Sequence, residues 1–262
     1  MSWHCTFPAD LRLVAFDLDD TLAHSKMPLD EEMAVALAQL LNRYEAAIIS
    51  GGQLSQFQSQ VLSRLANQPA SQCTLHLLPT CGTQYYRIEP GTRPEQLVRV
   101  YRRDLAADLR RQAVETIEKT ARELGFWAAS PWGNIIEDRG TQVTFSALGQ
   151  QAPLAAKRAW DPDGSKKSAL VKALRERLSQ LEVRSGGATS VDVTARGVDK
   201  AYGIRSLLES TGYTPRNLVF LGDRLDERGN DYPVLSTGVP CQAVSGPEDT
   251  LDWLQRLLAS KS

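Results

Sequence analysis

Two carboxylates sit two residues apart behind an apolar run near the start of the chain, in Leu13-Val14-Ala15-Phe16-Asp17-Leu18-Asp19-Asp20-Thr21. In an extended segment that spacing puts Asp17 and Asp19 on one face. Carboxylates held this close raise each other's pKa unless a cation neutralises them. A hard cation such as Mg2+ suits oxygen ligands and is shared among a few carboxylates, water and a substrate phosphate. Two acids after a strand are also ordinary turn residues, so further groups must decide. Ser50-Gly51-Gly52 follows the next apolar run, Lys200 opens a late helix, and Asp223 follows a late strand with Asn230 and Asp231 just beyond. Together these are what aspartyl-phosphate chemistry needs. A carboxylate attacks phosphorus, a lysine and Mg2+ neutralise the transferring phosphoryl group, and a glycine backbone approaches it closely. Taken singly, Ser50 also reads as a helix N-cap and Lys200 as a surface lysine.

Hydrophobic periodicity supplies the elements that must position these groups. The buried run at 11–16 is a strand. A helix starts at Asp30, with Met33, Leu37, Leu40, Leu41 and Tyr44 inward, and Ala46–Ile49 is a strand. A helix with Leu54, Phe57, Val61 and Leu65 inward follows, then a strand at 73–78. Strand-helix alternation predicts a parallel sheet covered by helices. The middle differs. Tyr85–Ile88, 134–137, 141–148 and 190–194 read as strands, 94–125 and 168–181 as helices, and 153–164 as a loop. The last third returns to α/β style, with a helix at 201–211 stopped by Gly212, a strand at 217–221 and a final helix opened by a Ser245–Glu248 capping box. The expected fold is α/β: a Rossmann-like parallel-sheet core domain of 1–82 and 188–262, split by an inserted α+β domain of 83–187.

The 262 residues, 42% hydrophobic and 23% charged, are ordinary for a globular protein. A net charge of −1 gives no global drive towards nucleic acid or anionic membrane, and the arginines of 99–111 read as a solvated helix face. No segment has the apolar length of a bilayer span, and residues 1–12 lack the apolar core of a signal peptide. Cys5, Cys73, Cys81 and Cys241 form no C-x-x-C pair, so isolated thiols in a reducing, cytoplasmic setting are expected. His4, His24 and His76 have no partners at metal spacing and read as structural.

The order of these pieces resembles the haloacid dehalogenase superfamily, in the group whose cap domain follows the third strand. Within it the chain resembles the eukaryotic-type phosphomannomutases. The resemblance rests on Gly222-Asp223 with Gly229-Asn230-Asp231-Tyr232, on Ser190-Val191-Asp192-Val193 and on Pro247-Glu248-Asp249-Thr250. It implies Asp17 as nucleophile and Asp19 as general acid/base. Asp17, the Asp19 backbone carbonyl and Asp223 would bind Mg2+, with Asn230 and Asp231 in support. Ser50, Lys200 and the backbone of Gly51 and Gly52 would hold the phosphate. Lys26 falls where the mutases carry a phosphate-binding arginine, and Arg139, Ser190 and Asp192 match positions that hold the sugar phosphate. By residue type alone, Arg139 also reads as a solvated strand residue, and Ser190 and Asp192 as a polar solvent face. The resemblance also implies a homodimer formed through the caps.

Three positions depart from the mutase pattern. Asp20 replaces the usual glycine, Trp132-Gly133 stands where the mutases have Arg-Gly, and Gln150 stands where they have arginine. Arginine clamps phosphate bidentately, which tryptophan and glutamine do not. The expectation is therefore a Mg2+-dependent phosphohydrolase of a small phosphorylated metabolite, a sugar phosphate. The alternatives are a phosphomannomutase-like mutase and a weakly catalytic phosphosugar-binding sensor.

Overall fold

Leu13–Asp17 forms β1, buried along its whole length, as a strand covered on both faces must be. Glu45–Ile49 (β2) and Leu218–Gly222 (β10) pair with it in parallel on either side. This computed structural model describes residues 8–260, so Cys5 and His4 lie outside the described residues. The sheet is completed by Leu75–Leu78 (β3), Gln84–Ile88 (β4), Val98–Arg102 (β5) and Cys241–Ala243 (β11), in the order β11-β10-β1-β2-β3-β4-β5. β11 to β3 run parallel, while β4 and β5 extend the sheet antiparallel.

Alternation along the strands divides the core between two faces. Val14 and Phe16 of β1 pack with Glu31–Leu40 (α1), the segment 54–65 and Pro247–Ala259 (α8). Leu13 and Ala15 pack on the other face with Ile204 and Leu207 of Lys200–Thr211 (α7) and with Val234. The segment 54–65 runs as Leu54–Phe57 (α2), a π turn at Gln58–Leu62, and Ser63–Leu65 (α3).

The chain divides into two compact units; one ends at Arg102 and resumes at Asp199, the other is Arg103–Val198. The second unit holds an antiparallel sheet β6-β7-β9-β8, formed by Ile136–Asp138 (β6), Gln142–Ser146 (β7), Leu181–Ser185 (β8) and Ser190–Ala195 (β9). Val143, Phe145, Val183, Val191 and Val193 face one core. Ala107–Glu123 (α4) adds Ile117 and Ser165–Arg177 (α6) adds Leu170 and Leu174. A short helix, Leu154–Trp160 (α5), precedes α6.

These bounds differ from the 83–187 expected for the insertion, and the pairings explain why. Tyr85–Ile88, expected to begin the inserted unit, lies in β4 and pairs with β3. The helix expected over 94–125 is a strand followed by a helix: Val98-Arg99-Val100-Tyr101 alternates as an edge strand does, and α4 begins only at Ala107. The arginines of 99–102 therefore lie on β5. β9 pairs with β7 and β8, so Ser190–Ala195 belongs to the second sheet. The loop expected at 153–164 contains α5, and the helix expected to reach 181 ends at Arg177, leaving Leu181 to start β8. Ser245 pairs with Asp249, its N–H and Oγ both donating to Oδ2, so Glu248 is not the capping partner and α8 starts at Pro247.

At Gly203, α7 packs directly on Ile49 of β2 and on the turn after β3. A β-carbon there would lie 2.3 Å from Ile49 Cδ1 and 2.8 Å from the Cys81 carbonyl oxygen. The backbone oxygen has no way to turn aside. Gly203→Ala should therefore lower unfolding stability by about 1–3 kcal/mol, the usual cost of overpacking, with the urea midpoint as the measurement; an unchanged midpoint would refute this close packing.

Candidate active site

Strand register brings the reactive groups to one end of the main sheet. β2 pairs Ile49 with Asp17, so Ser50 is the next residue on the adjacent strand. β10 pairs Leu221 with Phe16, so Gly222 ends the strand and Asp223 leaves the sheet at the same end on the other side. Asp199 caps α7 by accepting from the Tyr202 N–H, and Lys200 takes the first helical position.

Lys200 is buried, 1% exposed, so it is not a surface lysine. Its Nζ lies 2.6 Å from Asp17 Oδ1 and 2.5 Å from Asp231 Oδ1, and both carboxylates are buried. Asp17, Asp223 and Asp231 each present an oxygen to a cluster whose atoms lie within 4.8 Å of one another. Asp231 also accepts from the Arg224 N–H through Oδ2. A β-carbon on Gly222 would sit 2.5 Å from that oxygen, which accounts for glycine before Asp223. Thr21 Oγ1 donates to Asp223 Oδ1 at 3.5 Å, a long contact.

Electrostatics follow from this burial. Burial pushes the Asp17 carboxyl up, to about 8; Lys200 pulls it down and Asp231 pushes it further up. Burial and Asp231 likewise raise Asp223. Burial works to lower Lys200, but Asp17 and Asp231 outweigh it and hold the ammonium charged. Three carboxylates thus face one ammonium, an excess of negative charge lined with hard oxygen donors. That donor set fits a hard divalent cation, with Asp17, Asp223 and Asp231 as the residues that would hold it. Asn230 is exposed, next to Asp231.

The Asp19 carboxylate lies outside this cluster. The chain leaves β1 after Asp17, and Asp20 turns it with φ 59°, a left-handed conformation that suits the glycine Asp20 replaces. The Asp19 carboxylate instead receives the Lys26 N–H at 2.8 Å, Lys26 Nζ at 3.3 Å and Gln56 Nε2 at 2.7 Å. Gln60 Nε2 lies 3.5 Å away. Burial would raise Asp19, but the Lys26 ammonium and these donors overcome it and lower the carboxyl below its usual range. Gln56 and Gln60 were not legible as site residues. Their one signal is a pair of amides four residues apart on the helix after Ser50-Gly51-Gly52.

Ser50 is buried, and its Oγ accepts from the Gly52 N–H at 3.0 Å. It is not the N-cap of α2, since Gln53 holds that position. The Thr80 N–H donates to the Gly52 oxygen and the Cys81 N–H to the Ser50 oxygen, both at 2.9 Å. Thr80 and Cys81 adopt φ 49° and 56°, left-handed values rare for such residues. Among the described residues, the non-glycine positions with positive φ are Asp20, Lys26, Thr80 and Cys81. All four lie in loops following β1 and β3.

In the second unit, Arg139 Nε and Nη2 donate to Glu137 Oε2 at 3.1 and 2.8 Å. Its side chain is 12% exposed, so it is not a solvated residue. Asp192 Oδ1 accepts from Gln142 Nε2 and Thr144 Oγ1, both at 2.7 Å. Ser190 is half-buried opposite Ser146. The Trp132 and Gln150 loops are laced together: the Trp132 N–H donates to Leu148 and the Gln150 N–H to Asn134. The two positions are therefore neighbours, both neutral. Trp132 is 47% exposed.

His76 is structural as expected, with Nδ1 2.7 Å from Tyr85 Oη and Nε2 2.8 Å from Glu45 Oε2. Among the described residues, no helix is long and apolar enough to cross a membrane.

Comparison with known proteins follows the same line. The chain is 24% identical over 241 residues to a phosphomannomutase of Encephalitozoon cuniculi, covering 90% of this chain and 89% of that one. It is 20% identical over 221 residues to a 5-amino-6-(5-phospho-D-ribitylamino)uracil phosphatase of Bacillus subtilis, covering 83% and 79%. Among solved structures, a haloacid dehalogenase-like hydrolase from Bacteroides thetaiotaomicron shares the fold, with TM-score 0.62, 17% identity, and 94% and 99% coverage. The profile described as eukaryotic phosphomannomutase matches residues 102–260. The chain is thus a haloacid dehalogenase-type enzyme and belongs to the eukaryotic phosphomannomutase family.

Proposed function

We propose that the protein is a phosphohydrolase of a small sugar phosphate, working through an aspartyl phosphate on Asp17. The observation that carries this reading is the buried ammonium of Lys200 between Asp17 and Asp231. An oxygen of Asp17 attacks phosphorus while the ester oxygen leaves, taking the proton that Asp19 carries once Lys26 has left it. Asp19 then accepts a proton from water as that water attacks phosphorus and releases Asp17. Lys200, Ser50 and the Gly51–Gly52 backbone hold the phosphoryl oxygens, and Lys26 turns from Asp19 to join them. Mg2+, held by Asp17, the Asp19 backbone carbonyl and Asp223 with Asn230 and Asp231 in support, would supply charge neutralisation at the phosphoryl group. The reading includes Arg139, Ser190 and Asp192 as groups for the sugar part, a cytoplasmic location and a homodimer formed through the inserted domains.

A second reading, sugar-phosphate mutase, is favoured by family membership. A mutase must retain a bisphosphorylated sugar between its two half-reactions. Arginine–phosphate contacts contribute about 1.5–3 kcal/mol each. Neutral residues at Trp132 and Gln150 therefore weaken retention by roughly 10²–10⁴-fold, at about 1.4 kcal/mol per factor of ten. Water then intercepts the aspartyl phosphate before a sugar returns to it.

Three outcomes follow. In one assay with hexose phosphates and a bisphosphate activator, inorganic phosphate release should outrun interconversion of the 1- and 6-phosphates; faster isomerisation would promote the mutase. Asp17→Asn should abolish turnover while circular dichroism stays native, and normal turnover by a pure sample would exclude Asp17 as nucleophile. Chelation should remove activity and Mg2+ restore it, whereas Ca2+ should inhibit because its longer, looser coordination misplaces the nucleophile; full activity in exhaustive EDTA would count against a metal.

A further inference from the structure

Asp19 is gripped by two kinds of partner, and they differ in how firmly they are held. Lys26 is cationic and its side chain is 63% exposed, so it is able to leave. Gln56 and Gln60 are neutral and come from the helical segment that carries the π turn Gln58–Leu62. Gln60 is 2% exposed. Such turns, wider than an α turn by one residue, interrupt regular helix geometry and recur at functional sites.

Neighbouring groups determine how both amides point. Gln60 Nε2 donates to the Met27 carbonyl at 2.7 Å and faces Asp19 Oδ1 at 3.5 Å. Both neighbours are acceptors, so turning the amide over would set oxygen against oxygen. Its own Oε1 is left buried without a partner. A buried carbonyl in that condition is unfavourable, and the donor contacts to Met27 and Asp19 keep it there. Gln56 is fixed in the same way: Nε2 donates to Asp19 Oδ2 at 2.7 Å and Oε1 accepts from Lys26 Nζ at 2.9 Å. The amide lies over the Ser50–Gly52 loop, where a β-carbon on Gly52 would be 2.1 Å from Gln56 Oε1. Gln56 therefore touches the proton-transfer carboxylate, the parked lysine and the backbone assigned to phosphate.

We propose that Gln56 and Gln60 are positioning residues that keep the Asp19 carboxylate aimed for proton transfer after Lys26 leaves it for the substrate phosphate. The inference rests on the phosphoryl-transfer reading given above. Neutral amides suit this task, because they orient a carboxylate without replacing the charge that Lys26 removes.

The test separates proton transfer from phosphate binding by the leaving group. A hexose 6-phosphate leaves as an alkoxide and needs a proton; 4-nitrophenyl phosphate leaves as a stable phenolate and does not. In the full chain with Mg2+, Gln56→Leu and Gln60→Leu should lower kcat on the hexose phosphate by about 10–100-fold, part of the ~10²–10⁴-fold that general acid–base catalysis supplies. The 4-nitrophenolate burst should fall far less, and KM should stay near its wild-type value. In an Asp19→Asn background the same changes should add nothing further. Equal losses on both substrates, or none, would overturn the inference alone. A wild type inactive on both substrates would overturn the phosphoryl-transfer reading and the inference with it. A second measurement serves variants that do not fold. The side-chain amide resonances of Gln56 and Gln60 should shift between wild type and Asp19→Asn, and unshifted resonances would overturn the contact.

Discussion

A charged lysine with 1% exposure must have its countercharges beside it, and that requirement organises the main unit. Lys200 is the first residue of α7, where the positive end of the helix dipole disfavours a cation. Only Asp17 and Asp231 make the position tolerable. One partner comes from β1, and the other from the loop after β10, the strand next to β1. Asp199 must cap the helix so that Lys200 points inward, and Gly222 must lack a side chain so that Asp231 fits behind it. Pairing of β1 with β10, the start of α7 and the turn before Asp231 are thus parts of one electrostatic solution.

Two acids separated by one residue meet opposite surroundings. Asp17 is buried among other acids and its carboxyl is driven up, whereas Asp19 sits among donors and its carboxyl is driven down. Without a cation these directions oppose the proposed roles of nucleophile and proton donor; a cation beside Asp17 would lower its carboxyl, and departure of Lys26 would let that of Asp19 rise. β1 ends at Asp17, so strand geometry does not extend to Asp19, and the left-handed turn at Asp20 then leads the chain to Lys26, whose N–H and ammonium hold the Asp19 carboxylate.

The chain of residues disclosed its architecture through local rules and hid what depends on distant partners. Buried strands at Leu13–Asp17 and Leu218–Gly222 and the stop at Gly212 follow from apolar runs and glycine. β5 was hidden because its valines are exposed at a sheet edge, so Val98 and Val100 lack the burial that would separate a strand from a helix face. α5 was hidden because none of its residues is buried. Asp17, Ser50, Lys200 and Asp223 were legible as an ordered set. Gln56 and Gln60 were not, because a glutamine on a helix carries no signal until the carboxylate it faces is in view.

β1 lies between a strand made early and one made late. β2 precedes the second unit and β10 follows it. Roughly a hundred residues separate Arg102 from Leu218, and at about 5–20 residues per second on the order of ten seconds pass on the ribosome before β10 can emerge. Throughout that interval the β10-facing edge of Leu13–Phe16 is an unpaired apolar strand edge, a template for pairing with the wrong chain. Asp17 meanwhile waits without Lys200. The nascent chain therefore remains both sticky and chemically inert until its last third arrives, and chaperone protection during synthesis is most valuable over this window.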